Sequence, residues 1–198
     1  MKTKISNGNA KLGKIANMSL APGKTCSADA CKTCLVDGCY ACKAYNAYKN
    51  TRAAWDTNTD LALNYLSCME ADLNAYFAGM NAPRYFRIHV SGDFVTYEYA
   101  QMWARVAANA EGTNFLAFTK QFDVIRGVEF PPNVSIVLSD WPGVDIPADL
   151  REIYSVAWLD DGRECIPADA IECPGNCDTC GMCWALAKRG IDVKFRKH

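Results

Sequence analysis

Cysteines are the residues of this chain whose type and spacing most directly indicate chemistry. The chain has eleven cysteines in 198 residues, and eight of them fall in two short blocks near its ends. The first block holds Cys31, Cys34, Cys39 and Cys42, with Cys26 just before it, and the second holds Cys173, Cys177, Cys180 and Cys183. Thiolates spaced two to four residues apart can share one soft metal centre. The two blocks therefore predict metal binding.

The second block has the spacing C-x3-C-x2-C-x2-C. Structural zinc usually joins two C-x2-C pairs across a longer stretch, because each pair supplies two ligands to a tetrahedron. A compact run of thiolates instead lets one loop surround a cubane iron–sulfur cluster. Gly175 and Gly181 would relieve crowding where the main chain approaches that cluster. We expect a [4Fe–4S] cluster here, with zinc as the alternative.

The first block offers five thiolates, although one centre takes at most four. Spacing alone does not identify the spare cysteine, and it leaves one or two centres open for the whole chain. The isolated Cys68 and Cys165 fit structural thiols, because single cysteines commonly behave as small buried hydrophobic residues.

Composition narrows the classes of partner. The net charge is −1, and lysine and arginine are scattered, so there is no general attraction to nucleic acid and we do not expect it as a partner. No apolar run resembles an export signal or a membrane span, which predicts no membrane association and a cytoplasmic location. Thiols stay reduced in that compartment, which again favours metal over disulfides.

The chain has 198 residues, a length typical of a single domain, so we expect one domain over 1–198. Residues 1–25 predict an extended N-terminal arm, and 26–42 and 173–184 predict cysteine cluster loops. Apolar residues near helical spacing predict helices over 43–54 and 60–79.

Residues 84–162 predict a parallel α/β core. Strands are expected at 84–90, 114–119, 134–138 and 154–159, and a helix should follow Thr96, a residue suited to capping it. A helix-length crossover favours parallel strands. The spacing of about 20 to 30 residues is short for regular strand and helix repeats. We therefore expect a truncated or partly open parallel barrel.

Polar residues end the predicted strands, where ligand sites of parallel sheets gather. His89, Asp93, Lys120 and Asp140 are accordingly the candidate catalytic residues, expected to orient polar groups of a substrate. A lone strand histidine such as His89 also fits a hydrogen-bonded wall residue. Neither a nucleotide-binding glycine pattern nor a serine hydrolase elbow is present.

Six short motifs stand out along the chain: residues 9–14, Lys24-Thr25-Cys26, Cys39-Tyr40-Ala41, residues 89–94, Phe118-Thr119-Lys120 and residues 180–184. Together they resemble the bacteriophage gene-product-88 family over nearly the whole chain. The resemblance implies a phage or prophage protein with an iron–sulfur centre.

A more distant similarity is to the radical S-adenosylmethionine enzymes, which have a partial parallel barrel behind an N-terminal cysteine cluster. In those enzymes a glycine-containing turn after an early strand holds the methionine amino group. The resemblance implies that role for Ser91, Gly92 and Asp93. Their signature C-x3-C-x2-C is absent, and the nearest run is Cys34-x4-Cys39-x2-Cys42.

Three functions follow as hypotheses. The first is an iron–sulfur protein in redox or radical chemistry, with one or two [4Fe–4S] clusters and S-adenosylmethionine as a further ligand. The second is a zinc- or cluster-stabilised binding module for a host protein or nucleic acid, without catalysis. The third is an electron carrier or redox sensor. The sequence does not decide whether the chain is an enzyme, which small molecule or host protein it meets, or its oligomeric state.

Overall fold

The structure is a computed structural model that describes residues 1–36, 39–162, 166–186 and 190–196. The side chains of residues 33–36 and 186 lie outside this description. The predicted metal ligand Cys34 is thus placed by its main chain alone, and Cys165 lies outside the described residues.

A single parallel sheet forms the centre of the molecule. Its strands are β1 (Ala16–Met18), β2 (Tyr85–Ile88), β3 (Asn114–Thr119), β4 (Val134–Ser139), β5 (Ser155–Asp160), β6 (Ile171–Glu172) and β7 (Val193–Arg196). Their order is β1-β2-β3-β4-β5-β7-β6, and every neighbouring pair is parallel. The predicted parallel α/β class is confirmed, and the four predicted strands are β2 to β5. The predicted barrel is not confirmed, because the paired strands form an open sheet with β1 and β6 outermost.

The helices are α1 (Ala28–Val36), α2 (Tyr40–Ala47), α3 (Lys49–Asn64), α4 (Leu66–Phe77), α5 (Tyr97–Ala108), α6 (Phe122–Ile125), α7 (Ala148–Arg151), α8 (Cys177–Cys180) and α9 (Cys183–Leu186). The two predicted helical regions are divided into α2, α3 and α4 by Tyr48 and Tyr65, which leave helical geometry. The predicted cap of α5 is confirmed, since the Thr96 hydroxyl accepts a hydrogen bond from Tyr99 N at 3.1 Å.

The two faces of the sheet are covered differently. On one face Phe86 and Ile88 pack with Leu73 of α4 and Trp103 of α5 in the main hydrophobic core. Parallel strands in chain order have right-handed crossovers, which bring the connecting helices to one face. On the other face Leu116, Val137 and Ala157 pack against Trp184 of α9 and against Leu12 and Ile15. The cysteine-rich C-terminal segment therefore covers the face opposite the main core.

The segments predicted as an arm and as cluster loops contain regular structure. Part of the arm is β1, which pairs with β2. The cluster-loop segments contain α1, the start of α2, α8 and the start of α9. Within the described residues no helix is both long enough and apolar enough to span a bilayer.

Candidate functional site

A cavity of about 130 Å³ lies at the carboxyl ends of β2, β3 and β4. Its walls come from two parts of the chain. The segment from the end of β1 to α2 contributes Gly23, Cys26, Ser27, Ala30, Cys31, Cys39 and Cys42. The sheet and its loops contribute Arg87, His89, Gly92, Asp93, Phe118, Lys120 and Ser139. Four of the predicted N-terminal cysteines and three of the four predicted strand-end residues thus meet at one place.

Four of the five N-terminal cysteines, Cys26, Cys31, Cys39 and Cys42, line this cavity. We call them, with Cys34, the N-terminal cysteine group. Burial raises the pKa of the Cys26 thiol, and the neighbouring Cys31 and Asp93 act in the same direction. The Cys31 thiol is directed to the carbonyl oxygen of Gly23 at 3.8 Å. Among the described residues, no three or more His, Cys, Asp or Glu side chains are placed so that they could hold a metal ion as they stand.

Asp93 is a buried carboxylate that joins the ends of two strands. Its Oδ1 accepts from Phe94 N at 2.8 Å and from the Thr119 hydroxyl at 2.6 Å, and its Oδ2 accepts from Lys120 N at 2.7 Å. Burial raises the pKa of Asp93, and these hydrogen bonds partly offset that effect. The carboxylate therefore fixes the Lys120 main chain at the cavity wall.

Ser91 and Gly92, predicted with Asp93 to bind a cofactor, have different positions. The Ser91 hydroxyl donates to Leu20 O at 3.0 Å and faces the segment that follows β1. Gly92 lines the cavity with φ of 77°, and a Cβ there would lie 2.4 Å from the Thr25 hydroxyl oxygen. The turn thus holds the N-terminal segment against the sheet, while Gly92 and Asp93 border the cavity.

His89 lines the cavity from a strained backbone position, with φ of 59°. Its Nε2 is 2.8 Å from the Tyr99 hydroxyl, and its ring stacks on Tyr99 and meets the edge of Phe94. Its buried Nδ1 has no hydrogen-bond partner among the described residues. Burial, with a smaller effect of Arg87, lowers the pKa of His89 to about 3, so the imidazole is neutral near pH 7.

The two remaining predicted residues, Lys120 and Asp140, follow β3 and β4. The Lys120 ammonium lies 5.0 Å from the centre of the Trp141 ring. Asp140 is buried, and its main-chain N–H donates to Ala157 O at 2.9 Å. From this strand end it is Ser139, not Asp140, that lines the cavity.

Arg87 is a cavity residue that the sequence did not single out as functional. Its Nε donates to His89 O at 3.0 Å, and its guanidinium lies 4.1 Å from the centre of the Phe118 ring. Burial lowers the pKa of Arg87, against the influence of Tyr40, Cys177, Cys183 and Asp93. The sequence feature that could have identified Arg87 is its charge, because it stands in the middle of strand β2.

The C-terminal cysteines form a second group, Cys173, Cys177, Cys180 and Cys183, which we call the C-terminal cysteine group. Three of them, Cys173, Cys177 and Cys183, pack against the smaller hydrophobic core. Burial raises the pKa of Cys183 to about 12, and the other three cysteines of the group act on that thiol in the same direction. The four side chains are therefore close enough to influence one another.

Comparison with known proteins gives the chain a family. Residues 2–186 match the family model described as Gene product 88. The Gene 88 protein of Mycobacterium phage D29 is 28% identical over 150 residues, which are 65% of this chain and 62% of that relative. This chain thus spans less than two thirds of the relative's length. No solved structure matches. The resemblance predicted from the short motifs is confirmed, and the chain belongs to the gene product 88 family.

Proposed function

We propose that the N-terminal cysteine group holds an iron–sulfur centre at the cavity, and that the protein uses it in redox or radical chemistry on a small molecule. The observation that carries this proposal is the convergence of four thiols with His89, Asp93 and Lys120 on one cavity. Thiolates are the usual protein ligands of iron–sulfur clusters, which supply one-electron chemistry when bound.

The donor set suits such a centre, although the described thiols are not gathered around one point. Small residues, Gly23, Ser27 and Ala30, share the wall with the thiols and leave room between them. Metal binding commonly completes the folding of its own ligand segment, because the ligands gain their fixed geometry only on binding. We infer that the segment of α1 and α2 tightens around the centre.

The chain's own residues supply the rest of the site. Asp93 orients the Lys120 main chain, and neutral His89 offers Nδ1 to a polar group. The order of β1 to β5 follows the chain, as it does in a parallel barrel, which supports the proposal of a partial barrel.

The cavity volume bears on the ligand. About 130 Å³ is below the roughly 300–1,000 Å³ of pockets that take drug-sized ligands. That size favours the centre itself or a small ligand, and S-adenosylmethionine would require the cavity to open. The C-terminal cysteine group, packed against a hydrophobic core, supports a second centre with a structural role.

Anaerobic purification tests the proposal. We expect brown protein with iron and acid-labile sulfide, loss of part of the iron in Cys39→Ser and in Cys180→Ser, and full iron in Cys68→Ser, whose exposed thiol belongs to neither group. Colourless protein with stoichiometric zinc would overturn the proposal in favour of a zinc-stabilised binding module. Cleavage of S-adenosylmethionine under a reductant then separates a radical enzyme from an electron carrier.

A further inference from the structure

We propose that the cavity binds the carboxylate of a small monocarboxylic acid, and that the Arg87 guanidinium and the Lys120 ammonium hold it there. The inference goes beyond the proposed function, because the binding groups belong to the sheet and need no centre at the cysteines. It assigns a chemical class of ligand to the cavity.

Two positively charged side chains form part of the cavity wall. Arg87 lies in β2, and Lys120 directly follows β3. Both residues are half-buried, and within the described ranges of the chain neither forms an ion pair with a carboxylate. A half-buried cation without a counter-charge is unfavourable, because it has lost part of its hydration and gained no partner. The pair therefore favours a negatively charged ligand.

Asp93 is the carboxylate of the same wall, and its oxygens are already engaged. They accept hydrogen bonds of 2.6 to 2.8 Å from Phe94 N, the Thr119 hydroxyl and Lys120 N, and none of these donors is a charged side chain. Among the side chains that the sheet contributes, Asp93 offsets one of the two positive charges, so one positive charge remains. A monoanion balances that charge, whereas a dianion would place excess negative charge beside Asp93.

The Arg87 guanidinium is held in a position that suits a carboxylate. Its Nε donates to His89 O at 3.0 Å, and its plane lies 4.1 Å from the centre of the Phe118 ring. These contacts use Nε and one face of the group, and they leave the edge formed by the two terminal nitrogens. That edge matches the two oxygens of a carboxylate in a bidentate pair.

Lys120 is restrained at both its main chain and its side chain. Its main-chain N–H donates to Asp93 Oδ2 at 2.7 Å, and its ammonium lies 5.0 Å from the centre of the Trp141 ring. An ammonium has three N–H donors, so contact with a ring still leaves donors for an anion. Lys120 can therefore supply a second charged hydrogen bond to the same ligand.

The volume of the cavity limits the size of the acid. The cavity has about 130 Å³, and a cavity of about 150 Å³ can hold benzene. There is thus room for an acid of about three to five carbon atoms. Phe118 and Ala30 also line the cavity and offer apolar surface to its alkyl chain.

Saturation-transfer-difference NMR with propionate, on the protein as purified, tests the inference. We expect saturable binding of propionate at pH 7, and at least about tenfold weaker binding of propionamide, which has a similar shape and no charge. Inorganic phosphate at equal concentration should leave propionate bound, because phosphate is largely a dianion at this pH.

Two variants test the residues named. Arg87→Gln and Lys120→Gln should each weaken propionate binding by about tenfold, because each removes one charged hydrogen bond. Lys120→Gln keeps the main-chain hydrogen bond to Asp93, so it carries the test if Arg87→Gln fails to fold. Arg151→Gln is the matched control, because its guanidinium also lies over an aromatic ring, Trp158 at 5.1 Å, and is not part of the cavity wall. Its affinity should equal that of the unchanged protein.

Four results would overturn the inference: no saturable binding, equal binding of propionamide, displacement of propionate by phosphate, or unchanged affinity in a folded Arg87→Gln or Lys120→Gln protein. Iron is measured in the same samples. Iron without propionate binding overturns this inference alone, and propionate binding without iron overturns the proposed function alone.

Discussion

At the scale of single residues, most polar groups at the carboxyl edge of the sheet hold the main chain in place. Asp93 accepts three hydrogen bonds, and the Ser91 hydroxyl is engaged with Leu20 O. Two other residues that border the cavity are Lys120, whose ammonium lies over the Trp141 ring, and His89, whose buried Nδ1 has no hydrogen-bond partner among the described residues. Asp93 and Ser91 therefore act on the position of the main chain.

Gly92→Ala tests how closely the N-terminal segment is fitted to the strand end. A Cβ at Gly92 would lie 2.4 Å from the Thr25 hydroxyl oxygen and 2.7 Å from Leu20 Cβ. Gly127 has nearly the same φ, 76°, but a Cβ there would meet nothing within 4 Å. Urea unfolding should show a loss of about 1–2 kcal/mol for Gly127→Ala, from backbone strain alone, and about 1–3 kcal/mol more for Gly92→Ala, from the clash. Equal losses would contradict the close approach.

The sequence predicted those cavity residues that directly follow the ends of strands. His89, Asp93 and Lys120 could be expected to meet because the carboxyl ends of parallel strands lie at one edge. Arg87 could not be assigned, because alternation along a strand does not say which face meets a cavity. Asp140 was predicted as a site residue at the end of β4, but Ser139 lines the cavity wall there. The exact residue at which a strand ends decides which side chain points inward, and the sequence does not give that residue.

At the scale of elements, the C-terminal cysteine group is attached to the N-terminal segment. Cys177 N donates to Lys11 O at 3.0 Å, and the Asp178 carboxylate of α8 accepts from Lys14 N at 3.3 Å. Gly13, with φ of 62°, lies against that carboxylate, and a Cβ there would be 1.8 Å from Asp178 Oδ2. The first residues of the chain thus hold α8 against the sheet.

A double-mutant cycle on Gly13 and Asp178 tests this attachment. Gly13→Ala alone should cost about 2–3 kcal/mol, because it adds backbone strain and displaces the carboxylate from Lys14 N. In an Asp178→Ala background the same change should cost only about 1–2 kcal/mol of strain. The coupling of about 1 kcal/mol is measured by urea unfolding of the four proteins. Additive losses would mean that α8 does not rest on Gly13.

The elements that sequence missed are short ones stabilised by their neighbours. β2 to β5 could be predicted because each is an apolar run bounded by polar residues. β1 has three residues and β6 has two, so their pairing with β2 and β7 carries no pattern of its own. The cysteine segments lack apolar periodicity, and the α1, α8 and α9 helices within them could not be predicted from it.

At the scale of the whole molecule, the sheet separates a helical side from a cysteine-bearing side. The main core includes buried residues of α3, α4 and α5, whereas three of the four C-terminal cysteines pack against the smaller cluster on the opposite face. The cavity lies at the edge where these parts and the N-terminal cysteines meet. The stability of the whole fold and the protonation state of a cavity residue are therefore linked at His89, whose ring packs on Tyr99 and Phe94 and which borders the cavity.

That link predicts a pH dependence of folding. The pKa of His89 is lowered from 6.5 to about 3 by burial, so between these values the unfolded chain binds a proton that the folded chain does not. Stability is therefore full above pH 6.5 and falls by up to about 1.4 kcal/mol per pH unit below it, about 2 kcal/mol between pH 8 and pH 5. His89→Asn removes this titration, and asparagine tolerates a φ of 59°. Urea unfolding at both pH values should show the extra loss in the unchanged protein and not in the variant. Carboxylates and His198 are common to both proteins and cancel in the comparison, so an equal loss in the variant would mean that His89 is not buried as a neutral imidazole.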